Sequence, residues 1–229
     1  MSKKNILFVF SAIVCLLVGT FNFSDDAKSE DRIVAVAQQM ETAFKTLEDY
    51  SCEVDQIFYQ NGVENQRYRF KYYFKKNRKI RVDFSEPHPG LTILYTDDEK
   101  KATIIPFRSS SAFKFRLSVD NPLLKTLAGQ RINQTDMGYF IDFLSKNLKK
   151  VKQEENTFSE DDQRVEFIFR AMDYIEEKLI EKYRISISKK YWLPTRIERC
   201  SSEGKLLEIS NIKNYEINAH LQDRFFLPQ

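Results

Sequence analysis

The sequence predicts an α+β fold, mainly antiparallel β, in which a strongly bent sheet or barrel carries helices on its concave face. Three observations lead there. Stretch after stretch alternates apolar and polar residues with a period of two, as strands with one wet and one buried face do. Two stretches carry the three- and four-residue spacing of amphipathic helices instead. The 229 residues also include 19 Phe and 11 Tyr against only 6 Gly. That is ring area for a large core, or for the lining of a large apolar cavity.

At the N-terminus, Lys3 and Lys4 precede the apolar run Ile6 to Val18, which is 13 residues long. A basic flank and a run of that length match a secretory signal peptide. The run is short for a membrane span, which takes roughly 20 residues. Residues 1–24 therefore read as a signal peptide, with Val18-Gly19-Thr20 or Asn22-Phe23-Ser24 at the cut. An uncleaved N-terminal anchor is the alternative. Val14 is bulkier than the residue a lipidation signal places before its cysteine, here Cys15. Residues 25–229 then form one exported domain.

Residues 25–30, DDAKSE, read as a polar linker. Ile33, Val36, Ala37, Met40, Phe44 and Leu47 follow as one helical stripe. From Tyr50 the period drops to two. YSCEVDQIFYQ sets Cys52, Val54 and Phe58 on one face, and the turn NGVEN joins it to QRYRFKYYFKK as a hairpin. This second strand opposes Tyr68, Phe70, Tyr72 and Phe74 to Arg67, Arg69, Lys71 and Lys75. Tyr73 falls on the cationic face, where alternation gives no reason for it. KIRVDF continues with Ile80, Val82 and Phe84 on one side. Pro87, Pro89 and Gly90 break the chain, and LTILYT and ATIIPF flank DDEKK as a further hairpin.

Asn121-Pro122 and Gly129 punctuate the middle. Thr135 or Asp136 then caps a helix whose stripe is Met137, Phe140, Ile141, Leu144 and Leu148, with Lys149 and Lys150 suiting its C-terminal end. Strands return with QRVEFIFRAMD, where Val165, Phe167 and Phe169 oppose Arg164, Glu166 and Arg170. The charged DYIEEKLIEKY reads as a turn or exposed ribbon. YRISIS, LPTRIERC, LLEISNIKNYEIN and the short RFFLP bring the tally to nine or ten strands. Cys52 and Cys200 both fall in strands, where they can pair in an oxidising compartment or sit as small buried side chains; the spacing leaves both open.

Composition narrows the function. The chain has 36 basic and 33 acidic residues, and the first 24 residues hold only Lys3 and Lys4, so the remainder carries 34 against 33, or +1. Nucleic-acid binders rest on a clear basic excess, so no nucleic-acid partner is expected. No nucleophile-elbow, zinc-protease, phosphate-loop or paired-cysteine motif occurs. His88 and His220 stand in separate loop-like contexts without ligand-spaced partners, so no metal, cofactor or catalytic residue is expected. The sequence reads as a binding protein rather than an enzyme.

The order of elements resembles the periplasmic outer-membrane lipoprotein carrier (LolA-like) superfamily. The closing section KYRISISKKYWLPTRIERCSSEGKLLEISNIKNYEINAHLQDRFFLP carries the likeness: strand, Leu-Pro turn, strand, acidic-Gly hairpin, strand, terminal Phe near Pro. PHPGLTILY and NPLLKTLAGQRINQTDMGYFIDFL are more similar to a related bacterial family of unknown function with the same fold. The resemblance covers about residues 30–229. It implies an incomplete, strongly curved antiparallel barrel covered by an N-terminal helix and mid-chain helices, in the periplasm, with an apolar interior that receives acyl chains. Implied partners are lipid acyl chains or a lipidated protein, handed on by inner- or outer-membrane envelope proteins, with the chain itself a monomer.

The alternating faces supply the candidate lining: Tyr68, Phe70, Tyr72, Phe74, Ile80, Val82, Phe84, Val165, Phe167 and Phe169. Carriers of this superfamily often have Lys-Arg-Pro before the third strand, the Arg tying the lid helices to the barrel. Here the piece reads Lys75-Lys76-Asn77, with neither Arg nor Pro at the matching places. A cell-envelope interaction module with the same fold but a filled interior is the alternative function, and cavity volume separates the two.

Overall fold

The computed structural model describes residues 23–107, 113–126, 129–151, 158–172 and 179–228. The expected signal peptide therefore lies outside the described residues but for its last two positions, as do the start of DYIEEKLIEKY and Cys15. Among the described residues no helix is long and apolar enough to cross a membrane.

The first helix, α1 (Phe23–Thr46), begins earlier than the stripe from Ile33 suggests, and DDAKSE is part of it rather than a linker. Six strands follow in meander: β1 (Asp49–Gln60), β2 (Val63–Lys75), β3 (Lys79–Glu86), β4 (Thr92–Thr96), β5 (Lys101–Ile105) and β6 (Phe115–Ser118). A segment with short 3-10 turns at Pro122–Leu124 and Ile132–Gln134 leads into α2 (Met137–Lys150). The second meander is β7 (Phe158–Glu160), β8 (Arg164–Met172), β9 (Ile180–Ser188), β10 (Leu193–Cys200) and β11 (Leu206–Ile217).

All eleven strands belong to one antiparallel sheet ordered β6-β5-β4-β3-β2-β1-β11-β10-β9-β8-β7. The two meanders join where β11 pairs with β1, and β6 and β7 end the sheet at opposite edges, so it stays open. This is the incomplete, curved half-barrel with helices. The extra strands over the sequence tally include the three-residue β7 and four-residue β6, too short for a period to show. RFFLP is not a strand: Asp223–Phe226 form a 3-10 turn.

The cations of β2 face the convex side, each against a carboxylate on a neighbouring element. Arg67 donates to Asp55 over 2.7 Å, Arg69 pairs with Glu86 at 2.7 Å, and Lys75 with Asp223 at 2.7 Å. Tyr73 lies among them because the C-terminal turn docks there. Its ring meets Phe225 edge-on at 4.8 Å, the Arg81 guanidinium covers Phe225 at 4.3 Å, and Phe226 is buried. A long-range contact that no period encodes explains the one misfit of the β2 pattern.

Two cores fill the concave side. In one, Ile33, Val36, Ala37 and Met40 of α1 and Ile141, Leu144 and Leu148 of α2 pack on Val165, Phe167, Phe169, Tyr183, Ile185 and Ile187. In the other, Leu47, Tyr50, Phe74, Ile80, Tyr95 and Ala102 close one end of the β1–β5 half against Leu124, Ile132 and Met137. Cys52 and Cys200 are both free. Cys52 faces β11 near Lys213–Glu216 and Cys200 faces Leu206, some eight residues along that strand, so they stand about 27 Å apart along it, far beyond disulfide reach.

Candidate functional site

Between the closed end and the opposite rim of β1–β5 the concave face is not filled. A cavity of about 550 Å³ lies there, roofed by residues within 123–126 and 130–140. Its floor is the alternating face of the strands: Val54 and Phe58 of β1, Tyr68, Phe70 and Tyr72 of β2, Val82 and Phe84 of β3, Ile93 of β4 and Ile104 of β5. The rings at the rim interlock, Phe58 with Tyr68 at 6.0 Å, Tyr68 with Phe84 at 6.2 Å and Phe70 with Phe84 at 5.3 Å. Offset and edge-on pairs of this kind hold rings in place without filling the space above them.

Of the ten residues chosen from sequence, Tyr68, Phe70, Tyr72, Val82 and Phe84 line this cavity. Phe74 and its cross-strand partner Ile80 sit one two-residue step further along than Tyr72 and Val82, in the packed closed end. Val165, Phe167 and Phe169 lie under α1 and α2, where helix side chains take the space that cargo would need. Alternation marks a strand's inner face but not which part of it a helix covers. The sequence reading missed Val54, Ile93, Ile104, Ile197 and Ile212, although the same period marks them, and the roof residues Leu124, Ile132 and Phe140, which only the chain path brings over the sheet.

The wall formed by β9–β11 and β1 carries a polar cluster beside Ile197 and Ile212. Arg199 donates to Glu181 over 2.8 Å and lies 3.3 Å from Glu208. Gln56 donates to the other Glu208 oxygen over 2.7 Å, and Tyr183 donates to Glu181 over 2.9 Å. Burial works against the Arg199 charge, but the carboxylates of Glu208 and Glu181 outweigh it and hold its pKa above the ordinary arginine value. Nothing in the period announces this cluster: Gln56 interrupts the apolar face of β1, and Arg199 reads as one more solvated strand cation. The cavity is thus amphipathic at its mouth, aromatic on one side and charge-paired on the other.

The roof is pinned to the sheet at its α2 end. Asp136 caps α2 by accepting from the Tyr139 amide over 3.0 Å. Its other oxygen lies 3.1 Å from Arg78 Nε, within ion-pair distance but without a hydrogen-bond partner among the described residues. Tyr72 and Thr135 hydroxyls meet at 3.3 Å, and the Met137 amide donates to the Tyr50 hydroxyl at 3.3 Å. Arg78 sits in the β2–β3 turn, two residues beyond Lys76, with a left-handed φ of 49°. Arg78 thus links the β2–β3 turn to the start of α2 by charge, from a position that motif spacing does not find.

Fold and site together define an open half-barrel with an apolar cavity beneath a pinned helical roof. No family model matches the chain, and no curated protein matches it. Solved structures do. A LolA superfamily protein from Nitrosomonas europaea is 14% identical, with 83% of this chain and 97% of that one covered and a TM-score of 0.38. A DUF1329 family protein from Desulfovibrio piger is 13% identical over 88% of this chain and 96% of that one, at a TM-score of 0.47. The MucA/MucB complex of Pseudomonas aeruginosa is 9% identical over 87% of this chain and 60% of that one, at 0.45.

Proposed function

We propose that this protein is an exported, non-enzymatic carrier or sensor that holds an acyl chain, of a lipid or a lipidated protein, in the cavity under its roof. The observation that carries the proposal is the 550 Å³ space, largely apolar, left between a ring-lined sheet and the roof residues within 123–126 and 130–140. A space of that size fits one extended ligand of drug-like volume or a fatty chain. Burying hydrocarbon yields about 0.8 kcal/mol per CH₂, so a chain of about 14–16 carbons supplies roughly 11–13 kcal/mol before the costs of immobilising it. Methylenes look alike, so discrimination falls to the polar wall of Gln56, Glu208 and Arg199 at the mouth. The basic-flanked apolar run at residues 6–18 supports export to the periplasm. The alternative, an interaction module with a filled interior, is disfavoured by the same volume.

Val54 offers the test. It lines the cavity from β1, where it also packs against the second core, so Val54→Phe places a ring in the space. Titration with a fluorescent acyl probe should show saturable binding to the natural chain, weakened by about tenfold or more in Val54→Phe, with the variant's fold checked by circular dichroism. Equal binding by both proteins would place the probe elsewhere and refute the cavity as the site.

A further inference from the structure

The cavity lining includes a group that hydrocarbon does not need. Arg199 lines the space from β10, and its cross-strand partner Glu208 lines it from β11, with side chains 13% and 12% exposed. A guanidinium in such a place is the usual reader of a ligand carboxylate. Here it is engaged within the protein, Nε with Glu208 at 3.3 Å and Nη1 with Glu181 at 2.8 Å. On its other oxygen Glu208 accepts from Gln56 at 2.7 Å and from Ser210 at 3.2 Å. An ionised carboxylate only accepts, so the amide nitrogen of Gln56 faces Glu208 and its amide oxygen is left over. That oxygen has no hydrogen-bond partner among the described residues. Lys125 and His88 also line the space, but both are solvent-exposed, where ion pairs contribute little.

We infer that the cavity favours acyl chains with an uncharged head, one that bears a hydroxyl or amide N–H, over free fatty acids. This deepens the carrier proposal and rests on it. A fatty-acid carboxylate at the cluster meets Glu208, and the guanidinium that would receive it is already held by two carboxylates. Like charges brought together in a site of low exposure cost affinity, and they form the repulsive half of specificity. A hydroxyl or N–H head meets no such opposition. It donates to the Gln56 oxygen or to Glu208, while the chain behind it lies on the rings of β2 and β3.

The test is displacement of the fluorescent acyl probe from the full chain at pH 8 by monolaurin and by laurate, which share a chain length and differ in the charge of the head. Only the probe signal that Val54→Phe weakens is followed, which sets aside probe held by the apolar run at residues 6–18. Any apolar cavity prefers the uncharged ligand, so the deciding readout is the ratio of the two affinities in the natural chain and in Glu208→Gln, its fold checked by circular dichroism. The natural chain should bind monolaurin about tenfold or more tightly than laurate, and Glu208→Gln should move that ratio about tenfold towards laurate. If Glu208→Gln does not fold, Glu181→Gln takes one carboxylate from Arg199 from outside the cavity lining and should move the ratio the same way. A ratio that the folded variant leaves unchanged overturns the inference. So does a natural chain that takes laurate as tightly as monolaurin, or one whose probe neither ligand displaces. In each of these cases the probe signal itself leaves the carrier proposal standing. Absence of any probe signal sensitive to Val54→Phe overturns the carrier proposal, and this inference with it.

Discussion

Asp136 shows how much one side chain does here. It is 2% exposed, caps α2, faces Arg78 and keeps one oxygen without a hydrogen bond. Burial raises its pKa above the ordinary 3.8, against the opposing pull of Arg78 and the backbone amides at the cap. A raised folded-state value means that the folded chain holds the proton more tightly than the unfolded one. Stability from this group therefore grows as pH falls through the raised value towards 3.8, and is lost as pH rises through that window. Urea melts of the natural chain and Asp136→Asn between pH 4 and 7 should show the natural chain gaining relative to the variant on acidification; parallel curves would contradict this. Asp136→Ala should cost about 1 kcal/mol more than Asp136→Asn, because alanine cannot cap the helix. The capping position is legible in the sequence; the arginine opposite is not, since nothing local links a β2–β3 turn to a helix sixty residues on. The cysteines give a second residue-scale outcome. Burial raises both thiols, Cys52 far more than the half-exposed Cys200. A maleimide should label Cys200 slowly in the folded protein and Cys52 only on unfolding.

Among the elements, α1 and α2 decide where the core ends and the cavity begins. They approach so closely that a Cβ on Gly138 would lie 2.7 Å from the Phe44 ring and 3.0 Å from an Asp136 oxygen. Phe44 is itself held against Phe74 at 5.6 Å. Helix propensity favours Gly138→Ala by about 1 kcal/mol, while overpacking of this kind costs about 1–3 kcal/mol. A lower melting temperature for Gly138→Ala is expected, and a higher one would show that the helices have room to part. Strand faces are legible because one-sided burial imposes a period of two. The division of those faces is not, since Phe74 and Phe70 read alike until the helices are placed. The C-terminal turn is hidden for the same reason: RFFLP reads as a strand, and only the convex pocket around Tyr73 and Arg81 makes it a docked 3-10 turn.

At the scale of the whole molecule, an open sheet with two cores and an unfilled bay between described elements is an arrangement that gives up packing to keep space. Protein interiors normally close such voids, and a dry space lined by rings is costly unless something apolar enters it. The sequence shows the ingredients, with rings in excess and alternating strands, but the bay arises from how far α1 and α2 reach across the sheet. The direct test is mass spectrometry of the natural protein, purified without detergent, together with Val54→Phe prepared in the same way. An acyl lipid bound at about one per chain to the natural protein, and absent or much reduced in Val54→Phe, is the expected result. A natural protein that is free of lipid, and that also ignores fluorescent fatty-acid probes, would contradict the carrier function.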